Sequence, residues 1–308
     1  MITTAVSEML LVTDKNTLQE LHVGCPLTEE ANQVICRLPN LRDLTVVIER
    51  ETLLPSASLP GLTELVIVCD NKGGWPRFFD RATLGKLKNV TFFTQSKQIG
   101  DFLEEFERVA LSSSIQNTLS EFSLYTSSSW NPNYSSLLPF TQLEHLEIES
   151  SCKGGCSSRV DDELVINLSR AMPKLEVLCL GDYPCREFTT GVTAKGLVAL
   201  AHHCPNLSEL CVHFQVASLS TPPASSEKAP NTESSGLWPD CALKDLAAGE
   251  IPVPEESVLM VALTLLRIFP RIVTIDSVDK GWKKVKDAIY HSKRIVDFSS
   301  KQHPHTMP

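Results

Sequence analysis

Two periodicities of apolar and polar residues alternate along this chain. In Thr193–His213, Leu197, Leu200, Ala201 and Cys204 fall on one helical stripe, and Pro205 then blocks continuation. Leu207, Leu210 and Val212 follow in the pattern L-x-x-L-x-h, where h is apolar, as expected of a short strand. A helix with one apolar stripe joined to a strand with one apolar side leaves surface bare. Such a unit requires copies of itself on either side.

The copies are present. The pattern recurs as Leu18-Leu21-Val23, Leu41-Leu44-Val46, Leu62-Leu65-Ile67, Leu87-Val90-Phe92 and Leu119-Phe122-Leu124. It continues as Leu143-Leu146-Ile148, Leu175-Leu178-Leu180 and Leu207-Leu210-Val212, then more weakly as Leu243-Leu246-Ala248 and Ile272-Ile275-Ser277. Successive first positions lie 21 to 36 residues apart, and leucine-rich repeats run roughly 20–29 residues before insertions. Pro39, Pro60, Pro139, Pro173, Pro205 and Pro270 mark the approach to six of these strands. Two markers in register predict an α/β leucine-rich-repeat solenoid, a horseshoe with an inner parallel sheet and outer helices.

Between the strands, helices are expected over Thr28–Arg37, Asp101–Leu111, Asp161–Ala171 and Ser257–Phe269. The first opens on a Thr-Glu-Glu cap. The second is amphipathic through Phe102, Phe106 and Val109, and the third buries Leu164, Ile166 and Leu168. Between Leu41 and Leu62 there is room only for an extended or one-turn return. Residues 1–17 read as a partial repeat or cap, and 18–278 as the solenoid. Ser218–Ser235, rich in Ser, Thr, Pro and Glu, reads as a disordered insertion. Residues 279–298 read as a capping helix with Trp282, Val285 and Ile289 on one side and Lys280, Lys283, Lys284 and Lys286 on the other; 299–308 reads as a disordered tail.

The 308 residues carry 28 Lys and Arg against 37 Asp and Glu, a net charge of −9. That balance argues against nucleic acid, whose phosphates require clustered cations. No apolar run reaches the ~18 residues of a membrane span and no leader opens the chain, so no membrane partner is expected. Cys179, Cys204 and Cys211 sit inside predicted elements, where a thiol acts as a small hydrophobe. A reducing cytoplasmic or nuclear compartment and a monomer outside any complex are the expectation.

Candidate chemistry lies at the x positions, which face away from the apolar side. The first such column reads Glu20, Asp43, Glu64, Asn89, Glu121, His145, Val177, Glu209, Asp245 and Thr274. Six of these ten are acidic and none is Lys or Arg, so a negative stripe should run along the concave face. Neighbouring columns add His22, Glu147, Glu149, His213 and Asp276, with Phe93 and Tyr125 as aromatic anchors. A solvated edge is the bland explanation; a docking face for a protein client with a basic segment is the functional one. Its contacts would be Glu20, Asp43, Glu64, Glu121, Tyr125, His145, Glu147, Glu149, Glu209 and His213.

Other candidates are thinner. Cys152 and Cys156 share a Gly-rich loop, with Cys185 as a conceivable third ligand, but no second pair stands at zinc-finger spacing. His202, His203 and Cys204 are consecutive on a helix and point different ways. Neither a G-x-S-x-G elbow nor a Gly-rich phosphate loop occurs. No catalytic residue, metal or cofactor is expected.

The run G-V-T-A-K-G-L-V-A-L-A-H-H-C-P-N-L-S-E-L-C-V (Gly191–Val212) resembles the cysteine-containing leucine-rich repeat of F-box proteins. F-P-R-I-V-T-I-D (Phe269–Asp276) and G-W-K-K-V-K-D-A-I-Y-H-S-K-R-I (Gly281–Ile295) are similar to fungal F-box proteins with irregular repeats. That resemblance implies a substrate receptor of a cullin–RING ubiquitin ligase: the repeats hold the client, and an F-box binds the adaptor. No Leu-Pro pair of the kind that opens an F-box precedes Leu18. The adaptor and cullin are therefore implied partners only where an F-box lies upstream. A stand-alone leucine-rich-repeat scaffold or regulator lacking an F-box is the alternative.

Overall fold

Each of the ten L-x-x-L-x-h stretches becomes one rung of a single sheet. The computed structural model describes residues 8–9, 16–48, 57–69, 75–76, 79, 82–95, 101–127, 132–150, 160–181, 191–220, 240–249, 252–277 and 279–302. The rungs are β1 (Glu20–Pro26), β2 (Asp43–Ile48), β3 (Glu64–Cys69), β4 (Asn89–Thr94) and β5 (Glu121–Thr126). They continue as β6 (His145–Ser150), β7 (Val177–Leu180), β8 (Glu209–Val212), β9 (Asp245–Gly249) and β10 (Thr274–Ser277). They neighbour one another in chain order, and every pairing is parallel. The molecule is thus an α/β protein with a ten-stranded, all-parallel sheet. The short strands Ala57–Ser58 and Ala82–Thr83 pair separately, and the first of them supplies the extended return expected between Leu41 and Leu62.

Proline enforces the approach to the rungs. In Leu59-Pro60-Gly61-Leu62, Met172-Pro173-Lys174-Leu175, Cys204-Pro205-Asn206-Leu207 and Phe269-Pro270-Arg271-Ile272, the fourth residue's N–H donates to the first residue's carbonyl at 3.1–3.2 Å. Proline at the second place presets the φ this turn needs. Beyond the turn, one carbonyl accepts two N–H groups from the next unit. Gln19 takes those of Arg42 and Asp43, Arg42 those of Thr63 and Glu64, and so on through Lys244, which takes those of Val273 and Thr274. This row of doubled acceptors sets the register along the whole sheet.

Alternation then sorts the side chains. In β2, β5 and β6 every second residue is buried, and the buried set merges into one continuous core from Ala31 to Ile289. Leu18 and Leu21 are only partly buried because no unit precedes them among the described residues. An aromatic knot strengthens the middle: Trp75, Phe79, Phe92, Phe102, Phe106, Phe122 and Phe140 are buried together. Phe106 lies 4.6 Å from Phe122 and stacks on Phe140 at 5.3 Å.

Among the described residues the α-helices are α1 (Glu29–Ile35), α2 (Phe102–Ser113), α3 (Asp162–Ala171), α4 (Ala194–His203), α5 (Val216–Ser220), α6 (Val258–Ile268) and α7 (Lys280–Gln302). Thr28, Asp161 and Thr193 cap α1, α3 and α4 through their side-chain oxygens. The α4 stripe is as expected: Leu197, Leu200, Ala201 and Cys204 are all buried. Helix α7 packs on α6 and β10, burying Trp282, Val285 and Ile289 and leaving Lys280, Lys283, Lys284 and Lys286 exposed. Among the described residues no helix is long and apolar enough to cross a membrane.

Some details differ from expectation. In α3 the buried residues are Val165, Leu168 and Ser169, with Leu164 and Ile166 half-buried, because the helix presents its stripe one residue further round. Ser218–Ser220 belong to α5, whose Val216 and Leu219 enter the core, and residues 221–235 lie outside the described set. Helix α7 continues through Gln302, so 299–302 are helical and not tail. Most of 1–17 and all of 303–308 lie outside the described residues.

Candidate functional site

The sheet face turned away from the core is built by register. Glu20, Asp43, Glu64, Asn89, Glu121, His145, Val177, Glu209, Asp245 and Thr274 are successive pairing partners, so the acidic column of the sequence is one continuous row. Parallel strands stand ~4.8 Å apart, which brings neighbouring carboxylates within mutual influence. Glu64 reports it. Partial burial, then Asp43, Glu121 and Glu20, push its carboxyl above the usual glutamate range, with His22 pulling the other way.

The remaining predicted contacts gather at the centre and towards β8. The Tyr125 hydroxyl donates to Glu147 Oε2, and burial together with that carboxylate holds the phenol's pKa above its ordinary value. Phe93 stacks on Tyr125 with centroids 4.9 Å apart and planes 13° from parallel, while staying 41 % exposed. His145 Nε2 lies 3.9 Å from Glu176 Oε2. Glu20, Glu64 and Glu209 are exposed, and Asp43, Glu121, Tyr125, His145, Glu147 and Glu149 are half-buried.

His213 corrects the expectation. It stands one residue past the end of β8, where strand alternation no longer holds, and is only 6 % exposed, so it offers no contact to a partner.

The cysteines divide in a way their neighbours in sequence concealed. Cys204 is a core residue: its thiol donates to the Ser169 and Met172 carbonyls, and burial pushes its pKa up to about 12. Cys241 repeats the arrangement one unit later on the Cys204 and Leu207 carbonyls. Cys179 and Cys211, by contrast, occupy x positions and are direct register partners on the acidic face. The Cys179 thiol donates to Cys211, which raises the pKa of the first and lowers that of the second. Glu147 is the register partner of Cys179 on its other side. Ligand atoms of Glu147, Glu149 and Cys179 lie within 4.8 Å of one another.

His202 is exposed, His203 half-buried and Cys204 buried, so the three do not converge. His203 is less basic than usual, from burial and then from His202 and Arg170 beside it. Cys152, Cys156 and Cys185 lie outside the described residues. No protein-family model matches the chain, and no curated protein does.

Proposed function

We propose that the chain is a leucine-rich-repeat solenoid that recognises a protein through the open face of its sheet, without catalysis. In-order parallel strands, each introduced by the same turn and each leaning on the next unit, support the solenoid reading. The observation that carries the recognition reading is the acidic row itself, running unbroken by any Lys or Arg and flanked by the exposed Phe93–Tyr125 stack. Parallel charges supply steering and register, and a rigid aromatic pair supplies contact area at small entropic cost.

The fitting partner is a protein with an extended basic segment. By its resemblance to F-box proteins, the repeat region acts as the client-holding arm of a cullin–RING ubiquitin ligase. Its work is positioning: the bound client is presented to a ubiquitin-charged enzyme brought by the complex.

Binding of a fluorescent Lys/Arg peptide to the full chain, wild type against Glu121→Lys/Glu147→Lys, tests the face. Affinity should fall steeply in the variant, and wild-type affinity should weaken with added salt. Equal affinity for both proteins refutes it. The ligase assignment is tested separately by tagging the endogenous protein and looking for adaptor and cullin subunits. Their absence would leave the stand-alone scaffold.

A further inference from the structure

The acidic face carries more than charge at its centre. Carboxylates alone would make a hard, oxygen-only surface, but here two thiols sit among them. Cys179 is 7 % exposed and lies between Glu147 and Cys211 as the register partner of both. Glu149 follows Glu147 by two residues on β6, so both side chains leave the same face of that rung. All four sit on sheet strands or immediately opposed rungs, so the backbone and not a flexible loop brings them together.

We propose that Glu147, Glu149 and Cys179 form a divalent metal site that takes Zn²⁺, with solvent in the fourth position. The spacing fits: the three donor atoms lie within 4.8 Å of one another, and a tetrahedral zinc with bonds of about 2.0–2.3 Å needs only a modest inward movement. The donor chemistry selects the ion. Mixed thiolate and carboxylate ligands suit zinc, whereas Ca²⁺ and Mg²⁺ require oxygen alone. Charge agrees, because a dication offsets two carboxylates on a row without cationic side chains. The outer shell is also in place: the Tyr125 hydroxyl already donates to Glu147 Oε2 and fixes that carboxylate's orientation. On binding, the Cys179 proton leaves to solvent. The site shares Glu147 and Glu149 with the recognition face but needs no partner, so its test can fail or succeed apart from that reading.

The test uses the full chain, reduced and stripped of metal, titrated with Co²⁺ and then with Zn²⁺ in competition. One equivalent of Co²⁺ should produce a sulfur-to-metal charge-transfer band together with tetrahedral d–d bands, and Zn²⁺ should bleach both. Cys179→Ser should abolish the sulfur band. Glu147→Gln should keep it while weakening affinity, and Tyr125→Phe should weaken affinity by about 10–100-fold with the band intact. Circular dichroism reports whether each variant folds, and the two conservative variants carry the test if Cys179→Ser does not. No sulfur band at stoichiometric Co²⁺ overturns the proposal. So does a band unchanged in folded Cys179→Ser, which would assign binding to cysteines elsewhere. Wild-type affinity in both Glu147→Gln and Tyr125→Phe overturns it as well.

Discussion

The Asp162 carboxylate closes on Gly196 with no room to spare. Its Oδ1 accepts the Gly196 N–H at 2.9 Å, and a β-carbon at that glycine would stand 2.6 Å from the same oxygen. The carboxylate also accepts the Thr193 N–H at 2.7 Å and the Thr193 hydroxyl at 2.6 Å. One acid in the first turn of α3 therefore satisfies donors at the start of α4, in the next unit. Gly196→Ala should destabilise by about 1–3 kcal/mol although alanine is the better helix former. Asp162→Ala should cost a similar ~1–3 kcal/mol by stranding the donors. In urea titrations the double variant should be less destabilised than the sum, because the clash disappears with the acid.

Leu178 and Leu210 are register partners on β7 and β8, and both are fully buried. Truncating either to alanine should cost about 2–5 kcal/mol. Lys283→Ala, on the exposed side of α7, should change stability by less than about 0.5 kcal/mol. Denaturation midpoints that moved equally for all three would contradict the sidedness of the sheet and its cap.

Glu64 yields a pH effect with a definite sign. Its pKa is raised in the folded chain, so the native state holds this proton more tightly than the unfolded state does. Its contribution to stability therefore falls as pH rises from the ordinary glutamate value through the raised one, and recovers on acidification. The group is exposed, so the effect on stability is small and salt-screened. Carboxyl NMR should show Glu64 titrating late among the glutamates, and Asp43→Asn should bring it down. A titration indifferent to Asp43 would mean the row is electrically uncoupled.

Thiol chemistry offers a further check. Burial raises Cys36 to about 11 and Cys204 to about 12, so at neutral pH both are protonated as well as enclosed. Iodoacetamide should modify the half-buried Cys25 and Cys211 before Cys36 and Cys204, which it should reach only after denaturation. Mass spectrometry of timed quenches reads the order. Early labelling of Cys204 would show that its helix opens locally.

The strands were legible because a period of two with leucine at fixed slots admits one pairing register, and the weak Leu243 and Ile272 units keep it as far as Ala247 and Asp276 before a slip pairs Gly249 with Ser277. The acidic row followed from that register. What escaped notice lay off the pattern. Trp75 and Phe79 sit outside the L-x-x-L-x-h stretches, so nothing in the repeat announced that they complete the aromatic knot. By residue type Cys179 and Cys211 read as small hydrophobes, yet each stands in the x slot between two apolar positions, and that slot is the signal that they join the acids. The choice of Val165 over Ile166 turns on a fraction of a helical turn, finer than apolar spacing resolves.

The doubled carbonyl acceptors have a metrical consequence. They fix the rungs by main chain alone, so the backbone positions that carry the charges form a ruler of set divisions. Glu20, Glu64 and Glu121 occupy every second rung, about 9.6 Å apart. Three residues of an extended peptide laid across the rungs span about 10 Å. On the proposed recognition reading, cations recurring at every third position would meet these three acids in step, with Asp43 standing between the first two, and a ligand of identical composition with its lysines bunched together would meet the same charge out of step.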